Sequence, residues 1–146
     1  MTKVVDYSGA SKRHYSDATL LQGNRCDSNA GHLFGISAEC GIKALLVGLG
    51  YPTQPNGDMV FSHTPDLRGH IDHLHRIFNQ LLTFINGRSG GKYLSMVPNA
   101  GNFSDWRVDH RYYADTAIPA SLSKWESAAR EVQSMIQSAQ LDGVVK

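Results

Sequence analysis

The chain has 146 residues, a formal net charge of +1 and 41% hydrophobic residues. That length suits one domain with a sizeable core, and the apolar content excludes a disordered chain. The near-neutral balance excludes a strongly electrostatic nucleic-acid binder while leaving room for a local basic patch.

The N-terminal "MTKVVDYSGASKR" lacks the apolar core of a signal peptide, and no run of about 18 apolar residues follows, so no membrane span and a cytoplasmic location are expected. The first helix is predicted over about Ser11–Leu21, with Ser11 as its cap and Tyr15, Ala18 and Leu21 on one face. "GNRCDSN" breaks that pattern. A second helix starts at a cap on Asp27 or Ser28 and ends near Gly48 or Gly50, before Tyr51-Pro52. This second helix is very apolar, yet it carries Glu39, Cys40 and Lys43 in its middle. Glu39 and Lys43 stand at i and i+4 in the favourable orientation, a pairing of about 0.3–0.5 kcal/mol when exposed. Gly31, Gly35 and Gly41 recur near helical spacing, each costing about 1 kcal/mol against alanine. Close approach of a neighbouring helix or of a second subunit is the expected compensation.

Residues 51–67 hold three of the five prolines and the turn signal Asn56-Gly57, and read as a loop. The third helix is predicted over about Leu67–Ile85, where Ile71, Leu74, Phe78, Leu81 and Ile85 alternate by three and four. Residues 86–117 read as a long irregular stretch. "NGRSGGKY" within it fails the phosphate-loop pattern, since Asn86 replaces the first glycine and Tyr93 the magnesium-binding hydroxyl. The fourth helix, about Ser121–Leu141, continues the alternation through Ile118, Leu122, Trp125, Ala129, Val132, Ile136 and Ala139; Ser123 and Glu126 are spaced as a capping box, so its start is Ser121 or Ser123. The fold expected is therefore all-α: a single domain over residues 1–146, an antiparallel bundle of four to five helices with long loops at about 51–67 and 86–117.

"DATLL…NAGHLFGISAECGIKALL" resembles the first two helices of the HEPN (higher eukaryotes and prokaryotes nucleotide-binding) superfamily. The pattern A-x-x-L-x-x-x-x-A-E-C-x-x-K-A-L falls on Ala30, Leu33, Ala38, Glu39, Cys40, Lys43, Ala44 and Leu45. "GHIDHLHRIF" resembles the start of that family's third helix, and Arg111-Tyr112 its element before the last helix. The resemblance implies an HEPN-like bundle, a homodimer, and a role in a toxin–antitoxin or defence module beside a nucleotidyltransferase-type partner protein. It implies no cofactor. Catalytic members are metal-independent ribonucleases with an Arg, four to six residues, then a His near the last helix. This chain departs from that: no His follows Arg107 or Arg111 at the required distance, His110 being only three residues past Arg107.

Two function classes follow. The first is a non-catalytic protein binding a partner protein, nucleotide or RNA in a groove beside Glu39, Lys43, His70, Arg107, Arg111 and Tyr112; the alternative for Glu39 and Lys43 is a purely structural pair, with each other or with Arg111. The second is a ribonuclease in which His73 is the base and Arg68 the phosphate cation, since Arg68 and His73 have the right spacing in the wrong helix. A structural interaction module without ligand is the third reading. Five of the seven histidines lie between His63 and His110, and Asp66, His70 and His73 share a helical face; without a further ligand nearby, no metal is expected. Trp106 and Tyr112 are expected to pack the long loop onto the bundle. With Arg side chains nearby, stacking on single-stranded RNA is the other use of such aromatics. Cys26 and Cys40 form no C-x-x-C pair, and Cys40 reads as a small buried hydrophobe.

Overall fold

The computed structural model describes residues 3–60, 70–71 and 90–146. Among these residues there is no strand, only one isolated antiparallel bridge between Thr53 and Met59. Three long helices form the frame: α1 (Tyr7–Gly23), α2 (Asp27–Gly48) and α3 (Leu122–Leu141). The helix expected over Leu67–Ile85 lies outside the described residues except at 70–71.

α1 begins earlier than the spacing predicts. Asp6 caps it by accepting the Gly9 amide at 2.9 Å. Ser11, the expected cap, is instead fully buried: its hydroxyl donates to the Ser37 carbonyl, and the Ser37 hydroxyl donates back to the Ser11 carbonyl, both at 2.8 Å. The Gln133 amide donates to both hydroxyls, so one polar node joins all three helices with its hydroxyls satisfied. A tight turn at Arg25, with φ +60°, folds α2 back along α1, and the Tyr15 ring meets Phe34 edge-on at 5.6 Å.

α2 is the spine of the fold. Phe34, Ala38, Ile42, Leu45 and Leu46 are fully buried on it, each large side chain contributing about 1.5–3 kcal/mol. Its glycines are accounted for within this one chain. A Cβ at Gly31 would lie 2.8 Å from the Trp125 ring, one at Gly35 would run into Trp106, and one at Gly41 into Val132. The expectation that they make room for a second subunit therefore loses its basis. α2 is long and apolar enough to cross a membrane by length and composition alone, and 72% of its most apolar window is buried within the fold, as in a core helix.

α3 buries Trp125, Ala128, Ala129, Val132, Met135, Ile136 and Ala139, the stripe its spacing predicts. Its direction is that of the expected fourth helix, which in an antiparallel four-helix order runs parallel to the second. Gly31 faces Trp125, Gly41 faces Val132 and Gly48 faces Val144, so α2 and α3 run parallel, while α1 opposes both. Of the two starts the sequence allows, Ser121 and Ser123, the structure takes Ser121 as the N-cap position; its hydroxyl bonds Asp105 instead of the helix, and no capping box forms at Ser123.

The stretch before α3 is less irregular than its composition suggests. Residues 90–94 are helical, and three 3-10 turns follow at Ala100–Asp105, Val108–Tyr112 and Asp115–Ala117. The Asn56-Gly57 signal is a true turn, with Gly57 at φ +90°.

Candidate functional site

α2 presents Glu39 and Lys43 on the side where residue 70 approaches. Both are nearly buried, at 7% and 9% exposure. Lys43 Nζ lies 3.8 Å from Glu39 Oε1, and His70 Nδ1 lies 3.0 Å from the same oxygen. These charges are thus held inside the fold beside one another, the placement expected of a structural pair, and the Arg111 guanidinium lies over the Tyr112 ring. Charges this little exposed are ordinarily kept only when paired.

Trp106 connects this buried pair to the surface. Its ring fills the space left by Gly35, and its indole N–H donates to the Gly31 carbonyl at 3.0 Å. That anchor satisfies the ring's one polar atom, so Trp106 is fully buried, as expected. His32 stacks on it at 5.7 Å between ring centroids and 17° between planes, and His70 tilts against it at 6.2 Å. The Val108–Tyr112 turn then carries His110 inward and Arg111 and Tyr112 outward. His110 is 6% exposed and stacks on Trp125 at 6.0 Å. Tyr112 is 75% exposed, which overturns its expected packing role, and the Arg111 guanidinium lies 4.9 Å from the centre of its ring. Arg107 is exposed and bonds Asp109 at 3.2 Å. The Asp109 carboxyl is held below its ordinary value by its own backbone amide and then by Arg107.

The Nδ1 atoms of His32 and His110 are buried without a hydrogen-bond partner. Burial holds the His32 imidazole below its ordinary value, and Arg111, His70, His110 and His14 push the same way. His14, on α1, is lowered by burial and Arg13, against Asp17. Cys40 is half-buried rather than buried, and burial still raises its thiol to about 11, which keeps it protonated and unreactive at neutral pH.

Of the six groove residues expected, the structure gathers Glu39, Lys43 and His70 in one partly buried cluster and leaves Arg107, Arg111 and Tyr112 on an exposed turn. Trp106 and His32 lie between the two sets. Arg68, His73 and Asp66 lie outside the described residues. No group of three metal-ligating side chains occurs among the described residues. His32 and His110 were missed as functional candidates; the available signal was the Gly31/Gly35 pair flanking His32, which marks a ring stacked on that helix face. A separate open cleft of about 660 Å³ lies between the starts of α2 and α3, lined by Arg25, Asp27, Ser28, Asp115 and Trp125 among others. Its carboxylates of Asp27 and Asp115 make it a mixed-charge surface.

Comparison of the chain with protein-family models, with curated proteins and with solved structures finds no match.

Proposed function

We propose that this chain is a divergent, non-catalytic HEPN-like bundle that binds single-stranded RNA on the turn carrying Arg107, Arg111 and Tyr112. The observation that carries this reading is the exposed Arg111–Tyr112 pair, a cation 4.9 Å from a ring that is 75% exposed. A base stacks on such a ring regardless of its identity, and the guanidinium supplies a planar fork for a phosphate. The turn is held in place by Trp106 and His110, so little backbone order is lost on binding. Burial of Glu39 and Lys43 removes two charges from the surface and supports a site displaced toward Arg111. The resemblance extends the proposal to a homodimer acting with a nucleotidyltransferase-type partner in a toxin–antitoxin or defence module.

The test is fluorescence anisotropy with a labelled mixed-sequence single-stranded RNA across a salt series. Tyr112→Ala is expected to weaken binding by about 5- to 100-fold, the cost of one lost stack. Arg111→Ala is expected to lower the salt slope by about 0.7. Wild-type affinity in both variants would remove the turn from the interface, and no binding by the wild type would remove RNA as the ligand.

A further inference from the structure

We propose that anion binding at the Arg111 turn is coupled to proton uptake by the histidines around Trp106, with His32 as the principal acceptor. This rests on the RNA-binding reading and adds its regulation by pH.

The groups facing His32 come from every described element around it. α1 contributes His14, with Asp17 beside it. The 3-10 turn contributes His110 and the permanent cation Arg111. His70 contacts the same Trp106 face and is bonded to Glu39, whose carboxylate also serves Lys43. The Glu39 carboxylate is thus already engaged by the Lys43 ammonium and the His70 ring. His32 Nδ1 is buried and has no acceptor for a proton. In the free protein an added proton on His32 therefore meets like charge on several sides and gains no hydrogen bond at Nδ1.

A phosphate seated on Arg111 changes that balance. It neutralises the cation that weighs most among the charges around His32. Its own negative charge then favours the imidazolium. Linkage makes the effect reciprocal: a ligand that raises the basicity of His32 binds more tightly once His32 is protonated. The stack on Trp106 holds the imidazole in place through this change, and a charged imidazole gains from lying on an indole face. A surface of exposed arginines alone would show no such coupling, because arginine stays protonated throughout.

Two measurements on the full chain test this. The first is calorimetric titration of a mixed-sequence single-stranded RNA at pH 6.5 in two buffers of different ionisation enthalpy, which counts protons taken up. Wild type is expected to take up a fraction of a proton on binding, and His32→Phe, which keeps the stack, measurably less. In line with that, wild-type affinity rises as pH falls from 8 to 5.5, by up to about tenfold per pH unit for one whole proton. The second follows the His32 imidazole by NMR across pH, with and without the RNA, and needs no variant. Its titration midpoint is expected to rise when RNA is bound. RNA binding with equal proton uptake in wild type and His32→Phe, or with an unmoved His32 midpoint, overturns the coupling and leaves the RNA reading standing. No RNA binding at any pH overturns both.

Discussion

At Gly35 the absence of a side chain decides where an indole goes. An alanine there would gain about 1 kcal/mol of helix propensity, but its methyl would run into the Trp106 ring, which is fully buried and tied to the Gly31 carbonyl. A rigid bicycle with an anchored N–H cannot rotate out of the way as the tip of a lysine would. Gly35→Ala is therefore expected to lower stability by about 1–3 kcal/mol, the usual cost of overpacking a filled site. Urea denaturation measures that loss, and tryptophan emission shifted to the red would locate it at Trp106. Gly23→Ala is the matched control: nothing lies within 4 Å of a Cβ there, and a neutral or slightly stabilising effect is expected. Equal destabilisation by both substitutions would mean that helix ends, not the Trp106 contact, set the cost.

At the scale of elements, the hydrophobic stripes were legible and the caps were not. The three- and four-residue alternation in residues 122–139 predicted the buried face of α3 because that face is set by local spacing alone. Ser11 was misread as a cap, and Ser121 could not be told from Ser123, for the converse reason. A short hydroxyl before an apolar run looks the same whether it bonds its own helix or, like Ser11, a carbonyl 26 residues away. The parallel course of α2 and α3 is the direction an antiparallel order gives the second and fourth of four helices, so it followed from the helix count along the chain. The site divides along the same line. Arg111 and Tyr112 were found through a resemblance in sequence order, whereas His32 and His110 acquire meaning only when Trp106 and Trp125 stack on them. Among the bonds that join the 3-10 segment to α3, one carboxylate makes two. Asp105 accepts the Trp125 indole N–H at 2.8 Å and also the Ser121 hydroxyl at the helix start. Asp105→Ala removes both bonds and leaves a partly buried indole N–H without its acceptor, for an expected loss of about 1–3 kcal/mol. Asp105→Asn keeps an acceptor of the same shape and should recover part of it. Denaturation midpoints that rank Asn no better than Ala would show that charge at the α3 N-terminus, and not the bond to Trp125, is what Asp105 supplies.

For the whole molecule, the shifted groups place the pH range of greatest stability. His14 and His32 titrate below their ordinary value of 6.5 in the folded chain, both first because of burial. Below that value the unfolded chain binds more protons than the folded one, so stability falls as pH drops from about 6.5 toward the folded values. At the other end, burial raises Cys40 from 9.0 to about 11 and Tyr93 from 10.0 to about 12, with the Asp142 carboxylate reinforcing the latter. These groups keep their protons in the folded chain after the unfolded chain has lost them, so stability also falls as pH rises through about 9 and beyond. The two limbs bracket a plateau near pH 7–8. The carboxyls of Asp109 and Asp142, held low by hydrogen bonds, lie at the surface and act only below about pH 4, outside the histidine limb. Thermal unfolding from pH 5 to pH 10 is expected to give its highest Tm on that plateau and to decline on both sides. His32→Phe should flatten the acid limb specifically, because it removes a titrating group while keeping a ring on Trp106. A Tm that stays constant from pH 7.5 to 5.5 in the wild type, or an acid limb unchanged in His32→Phe, would show that His32 is not held neutral by the fold. It would also remove the electrostatic ground for coupling RNA to proton uptake.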